Sequence, residues 1–102
     1  MKVRETYINA TKGHRFGDSG GWIDAHADTV GGAFRAARAE FGRCVGKVYV
    51  DTTGGGAKQV GWVFQKRMRY DDDPKDSYLR EVWVEVAESV VVPEEVVRYA
   101  EM

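Results

Sequence analysis

The sequence predicts a single α+β domain spanning residues 1–102. In it an antiparallel three-stranded meander and an N-terminal strand pack on one main helix, and a short helix closes the chain. Three observations predict this class. Residues 45–86 hold three runs rich in valine, tyrosine, tryptophan and phenylalanine, separated by two turn-forming stretches. Residues 29–41 place Val30, Ala33, Phe34, Ala37 and Phe41 on one helical stripe. The length of 102 residues is that of one domain, and a hydrophobic content of 43% can furnish one core without metal or disulfide staples.

Residues 2–10, KVRETYINA, form the first expected strand, because they combine β-branched and aromatic residues with no breaker. Their weak alternation leaves the buried face open. Residues 11–27 read as a long polar loop with four glycines. Phe16, Trp22 and Ile23 are expected to pin it to the core. The main helix follows with Asp28 as the expected N-cap, Arg35 and Arg38 toward solvent, and Gly42 as the left-handed residue just past its end.

The meander has a definite expected register. A three-residue loop of Gly54, Gly55 and Gly56 pairs Thr53 with Ala57 and sets Val50 opposite Val60 and Val48 opposite Trp62. Across the DDDPKDS turn, Tyr70 pairs with Tyr78, which sets Phe64 opposite Val84. Parity then gathers Val48, Val50, Val60, Trp62, Phe64, Met68, Val82, Val84 and Val86 on one face, to be covered by the helix. Pro93, Glu94 and Glu95 read as a helix opening, with Val96, Val97 and Tyr99 docking a short C-terminal helix.

Several motifs resemble catalytic or ligand loops without their context. Residues 17–21, GDSGG, carry the residues that surround a chymotrypsin-like serine nucleophile. Here Ser19 sits near the N-terminus with His14 just before it, and the chain is too short for two barrels. The stretch holding His14, Asp18, Asp24, His26 and Asp28 lacks zinc spacing and reads as a polar loop, with a metal site as the alternative. Gly54–Gly56 before Lys58 lacks the phosphate-loop pattern, and Asp71–Asp73 lacks that of a calcium loop. The single cysteine, Cys44, excludes a disulfide framework and reads as an inert thiol. No catalytic residue, metal or cofactor is expected.

The odd-numbered face of the meander is the expected working surface. It carries Val45, Tyr49, Val63, Leu79 and Trp83, ringed by Lys47, Gln65, Arg67, Arg69, Glu81 and Glu85. An apolar, aromatic centre with a charged rim is the anatomy of a protein interface, so Tyr49, Val63, Arg67, Glu81 and Trp83 are the candidate contact residues. Two alternatives stand beside it. The first strand's loop or the C-terminal segment folds over this face, or nucleic acid stacks on Tyr49 and Trp83 beside Arg67 and Arg69. Glu81 and Glu85 oppose the last, and the charge distribution does too. Residues 1–70 carry twelve Lys/Arg and six Asp/Glu (net +6), and residues 71–102 carry three and ten (net −7), so the halves neutralise each other within one sheet.

The segments TYINATKGHRFGDSG, EFGRCVGKVYVDT, GWVFQKRMRYDD and YLREVWVEV resemble a family of small uncharacterised accessory proteins of mycobacteriophages and related actinobacterial phages. The resemblance covers roughly residues 5–86 and leaves the last fifteen outside. It implies no activity and no catalytic residues. It does imply a context: a product in the cytoplasm of an infected host that binds a host or phage protein, with possible harm to the host. Self-association is a further expected option. The absence of an apolar N-terminal region or a long apolar run gives no expectation of secretion or membrane spanning.

Overall fold

The computed structural model describes residues 1–15, 21–25, 27–52, 56–73, 75–87 and 98–102. The described elements in chain order are β1 (Lys2–Asn9), β2 (His14–Arg15), β3 (Ile23–Asp24), α1 (Val30–Phe41), β4 (Arg43–Thr52), β5 (Gly56–Arg69), β6 (Ser77–Ala87) and β7 (Arg98–Glu101). All the strands join one antiparallel sheet in the order β2-β1-β6-β5-β4-β7, with β3 also on β1.

This corrects the expected fold class. The architecture is a seven-stranded sheet with a single helix among the described residues, not a three-stranded meander resting on a main helix. The meander β4–β5–β6 is the middle of that sheet. On one flank β1 pairs with β6 along eight residues, from Lys2 opposite Ala87 to Asn9 opposite Arg80. On the other flank β7 adds to β4, with Tyr49 opposite Tyr99 and Val48 opposite Ala100. Residues 98–101 are therefore strand where a C-terminal helix was expected, and residues 93–97 lie outside the described residues. The edge of β4 offers backbone groups that residues 98–101 pair with as a strand.

Helix α1 starts one residue later than the sequence implies. Thr29, not Asp28, is its N-cap: the Thr29 hydroxyl accepts from Gly32 N at 3.0 Å. Gly42 ends it with φ 100°, and its N–H donates to Arg38 O at 3.1 Å. A Cβ at Gly42 would lie 2.5 Å from Gln65 O and 2.9 Å from Lys66 Cβ, so only glycine lets the chain turn this close to β5.

Register and parity also differ from expectation. Across β5–β6 the pairing slides by two residues, so Phe64 meets Val82 and Trp62 meets Val84, and the faces are kept. Across β4–β5, two irregularities break the count. One falls between Cys44 and Gly46, leaving Val45 unpaired, and the other between Val48 and Tyr49, leaving Val60 unpaired on β5. The extra residue at Val45 turns Gly46, Val48 and Val50 to the side away from the helix. The single expected core is thereby split in two. Under α1 lie Val3, Ala37, Phe41, Phe64, Val82 and Val84, with Phe34, Trp62 and Val86 packed against them. On the far side lie Val48, Val50, Val60 and Val63, with Val45, Trp83 and Ala100 against them. Ile23, expected to pin the loop, is 51% exposed, and Phe16 lies outside the described residues.

Tyr7 packs edge-on against Phe41 at 5.9 Å between ring centroids, and its hydroxyl donates to Glu5 Oε1 at 2.9 Å. Desolvation first, then that hydrogen bond and the charges of Glu5 and Glu40, raise its pKa from 10.0 to about 12. The residue is 36% exposed, so solvent screens part of this effect. A raised phenol pKa gives stability that is complete below the unfolded value and is lost as pH climbs through the folded one. The window therefore runs from 10.0 to about 12. Ultraviolet titration of Tyr7→Phe should lack a late-ionising tyrosine that the wild type shows, together with a flatter alkaline loss of stability. An unchanged titration curve in that variant would contradict the assignment.

Candidate binding site

The side of the sheet away from α1 holds four of the five expected contact residues, and its centre is closed. Val63 is fully buried, Glu81 is buried and Trp83 is half-buried. Glu81 is held by two donors: Trp83 Nε1 reaches its Oε2 at 2.7 Å, and Gln65 Nε2 reaches its Oε1 at 2.9 Å. Beside them Arg4 and Glu85 form a buried ion pair. Arg4 donates to Glu85 Oε2 from Nε at 3.0 Å and from Nη2 at 2.7 Å, and its guanidinium lies 5.0 Å from the Trp22 ring centroid. These are structural groups, satisfied and out of reach of a partner. Arg67 lies on this side, opposite Leu79, and is exposed.

Tyr49 is not with them. The Val45 bulge places it on the helix side, in line with Lys47, which pairs with Trp62. Helix α1 packs mainly on β5 and β6, with Val3 and Tyr7 of β1 against Phe41, so among the described residues no helix covers the β4–β7 end of that side. There Tyr49 stacks on Tyr99 with centroids 5.7 Å apart and rings 22° from parallel. Desolvation, followed by the charges of Asp51 and Glu101, raises the pKa of Tyr99.

Along α1 and the chain just past its end lies a depression of about 500 Å³, lined by Phe34, Arg35, Arg38, Ala39, Gly42 and Arg43. Its floor continues into Trp62, whose ring meets Phe34 edge-on at 5.2 Å. Lys66 adjoins it through Gly42, and Lys47 stands opposite Trp62 on the same side of the sheet. Arg35, Arg38, Arg43, Lys47 and Lys66 are all exposed, and none forms an ion pair among the described residues. The opposite flank of α1 has the other sign: Glu5 and Glu40 border a smaller cavity of about 280 Å³ over Val3, Ala37 and Phe41. The helix thus divides a basic hollow from an acidic one. Sequence reasoning placed Arg35 and Arg38 in solvent and Arg43 at the helix end, one by one. Their i, i+3 spacing beside Phe34 was the available signal, but Lys47 and Lys66 join them only through the sheet.

The loop motifs add no chemistry to this surface. No group of three or more His, Cys, Asp or Glu that could hold a metal occurs among the described residues, and Asp18, Ser19 and His26 lie outside them. Cys44 is half-buried, with its thiol donating to Gly46 O at 3.4 Å. No helix among the described residues is long and apolar enough to cross a membrane. Comparison with protein-family models, with curated proteins and with solved structures gives no match to this chain.

Proposed function

We propose that the protein works without catalysis, as a phage accessory protein in the host cytoplasm that binds a host or phage protein through the helix-free end of its sheet. One observation carries this reading: the Tyr49–Tyr99 stack lies on the side of β4 and β7 that α1 leaves uncovered. Tyrosine offers a large, rigid contact area at little entropic cost, which is why it is enriched where interfaces concentrate their energy. Of the contact residues expected from sequence, Tyr49 is the one that keeps an interface role. Val63, Glu81 and Trp83 serve the interior.

Nucleic-acid binding on the far side of the sheet has less support. Arg4 offsets the charge of Glu85 there, while the Glu81 carboxylate accepts from the neutral donors Gln65 and Trp83. Arg67 also lacks the expected Tyr49 platform, because Tyr49 lies on the opposite side of the sheet.

Affinity capture from lysate of an infected actinobacterial host tests the reading, with wild type and Tyr49→Ala compared at equal concentration. The wild type should retain a defined partner and the variant should lose it, while the unfolding midpoint falls by only a small amount. Loss of the ring stack itself costs about 1 kcal/mol. Equal capture by both proteins would remove Tyr49 from the contact, and light scattering of the same samples reads self-association as the competing outcome.

A further inference from the structure

We infer that the basic hollow beside α1 is a receptor site for an acidic segment of the partner protein. The inference rests on the protein-contact reading above and names the chemistry of the partner. Three exposed arginines, Arg35, Arg38 and Arg43, line the hollow, Lys66 lies against Gly42 and Lys47 pairs with Trp62 on the same side of the sheet, and none of the five forms an ion pair among the described residues. Such a concentration of basic charge lies on a chain whose net charge is only −1, so it is a local feature and not a general basicity. Three of the cations are arginines, whose planar forks match carboxylates with two parallel hydrogen bonds. Arg35 and Arg38 stand one helical turn apart, and Arg43 reaches the same hollow from the first residue of β4.

The floor selects further. Phe34 and Ala39 give it apolar ground, so an apolar residue set among the acidic ones has a place to sit. Nucleic acid would need free ring faces for its bases. Here the half-buried rings of Phe34 and Trp62 are locked edge-to-face, and one face of Tyr49 is taken by Tyr99. Asp51 and Glu101 at the far end add carboxylates that would face a continuing phosphate backbone.

Fluorescence anisotropy tests the site with two probes of equal net charge. One is a fluorescein-labelled peptide of alternating glutamate and aspartate around a central leucine, and the other is a labelled oligothymidylate. The peptide should bind more tightly than the oligonucleotide, with affinity that falls as salt rises. Arg35→Glu/Arg38→Glu should weaken peptide binding by about tenfold or more. Both positions are exposed on α1, so the unfolding midpoint of the double variant should match wild type. Tighter binding of oligothymidylate, or equal peptide affinity in the variant, overturns the site. The two readings fail separately. Partner capture that survives Arg35→Glu/Arg38→Glu but not Tyr49→Ala overturns the acidic-segment site alone. Peptide binding by a wild-type protein that captures no partner overturns the contact reading alone.

Discussion

Glu85→Ala should destabilise the fold by roughly 3–5 kcal/mol, read as a drop in the urea midpoint at unchanged slope. Glu85 is 2% exposed and Arg4 3%, and Arg4 sends two hydrogen bonds to one carboxylate oxygen. Removing the carboxylate leaves a guanidinium at the centre of the sheet without its counter-charge, and desolvating that ion is the main cost. The pair also ties β1 to β6, since Arg4 and Glu85 are directly opposed in the ladder. A domain of this size has a total stability of about 5–15 kcal/mol, so the single change removes a large share of it. The companion Arg4→Met/Glu85→Leu should recover most of the loss, because an apolar pair needs no desolvation. If Glu85→Ala unfolds within about 1 kcal/mol of wild type, water reaches Arg4 and the pair is not a buried one.

That pair also explains what the sequence could and could not disclose. Arg4 and Glu85 lie 81 residues apart, and each reads alone as an ordinary surface charge. Nothing local marks them as partners until β1 takes its place beside β6. By contrast, β1 itself and the body of α1 were legible, because each rests on an unbroken local pattern. The meander strands were legible for the same reason, but their faces were not. Val45 and Val60 are good strand residues, and nothing in their type announces a bulge. Counting parity through them assigned Val48, Val50 and Val60 to the helix side, whereas they build the second cluster opposite. The same slip moved Tyr49 in the other direction. It was read as a neighbour of Trp83 and Val63 and instead stands across the sheet from them, next to Tyr99. The strand at residues 98–101 was hidden by a different cause. Tyr99 and Ala100 pair with Tyr49 and Val48 on the edge of β4, a partner that no local pattern in residues 98–101 announces.

Gly61→Ala should be at least as damaging, with an expected cost of roughly 3 kcal/mol or more. Gly61 is buried in β5, opposite Glu85 on β6 and Val48 on β4, one residue beyond the Val60 bulge. A Cβ built there would run into the carbonyl oxygen of Val84 and lie 2.8 Å from its carbonyl carbon and 2.9 Å from Glu85 Cα. These are backbone atoms of the neighbouring strand, so no side-chain rotamer can relieve the overlap. Relief requires β5 and β6 to separate, and β6 is held on its other edge by eight residues of β1. Separation at this point would strain both clusters at once, because Val84 belongs to the core under α1 and Val63, two residues along β5, to the core opposite. Glycine at this position is therefore set by close backbone approach and not by a positive φ. Gly21→Ala is the matched control: a Cβ there meets nothing within 4 Å, and its midpoint should stay at the wild-type value. A Gly61→Ala protein that unfolds with the Gly21→Ala control would mean that β5 and β6 part easily at the bulge. In that case the two clusters would unfold in separate steps, which hydrogen exchange of Val63 and Val84 amides would resolve.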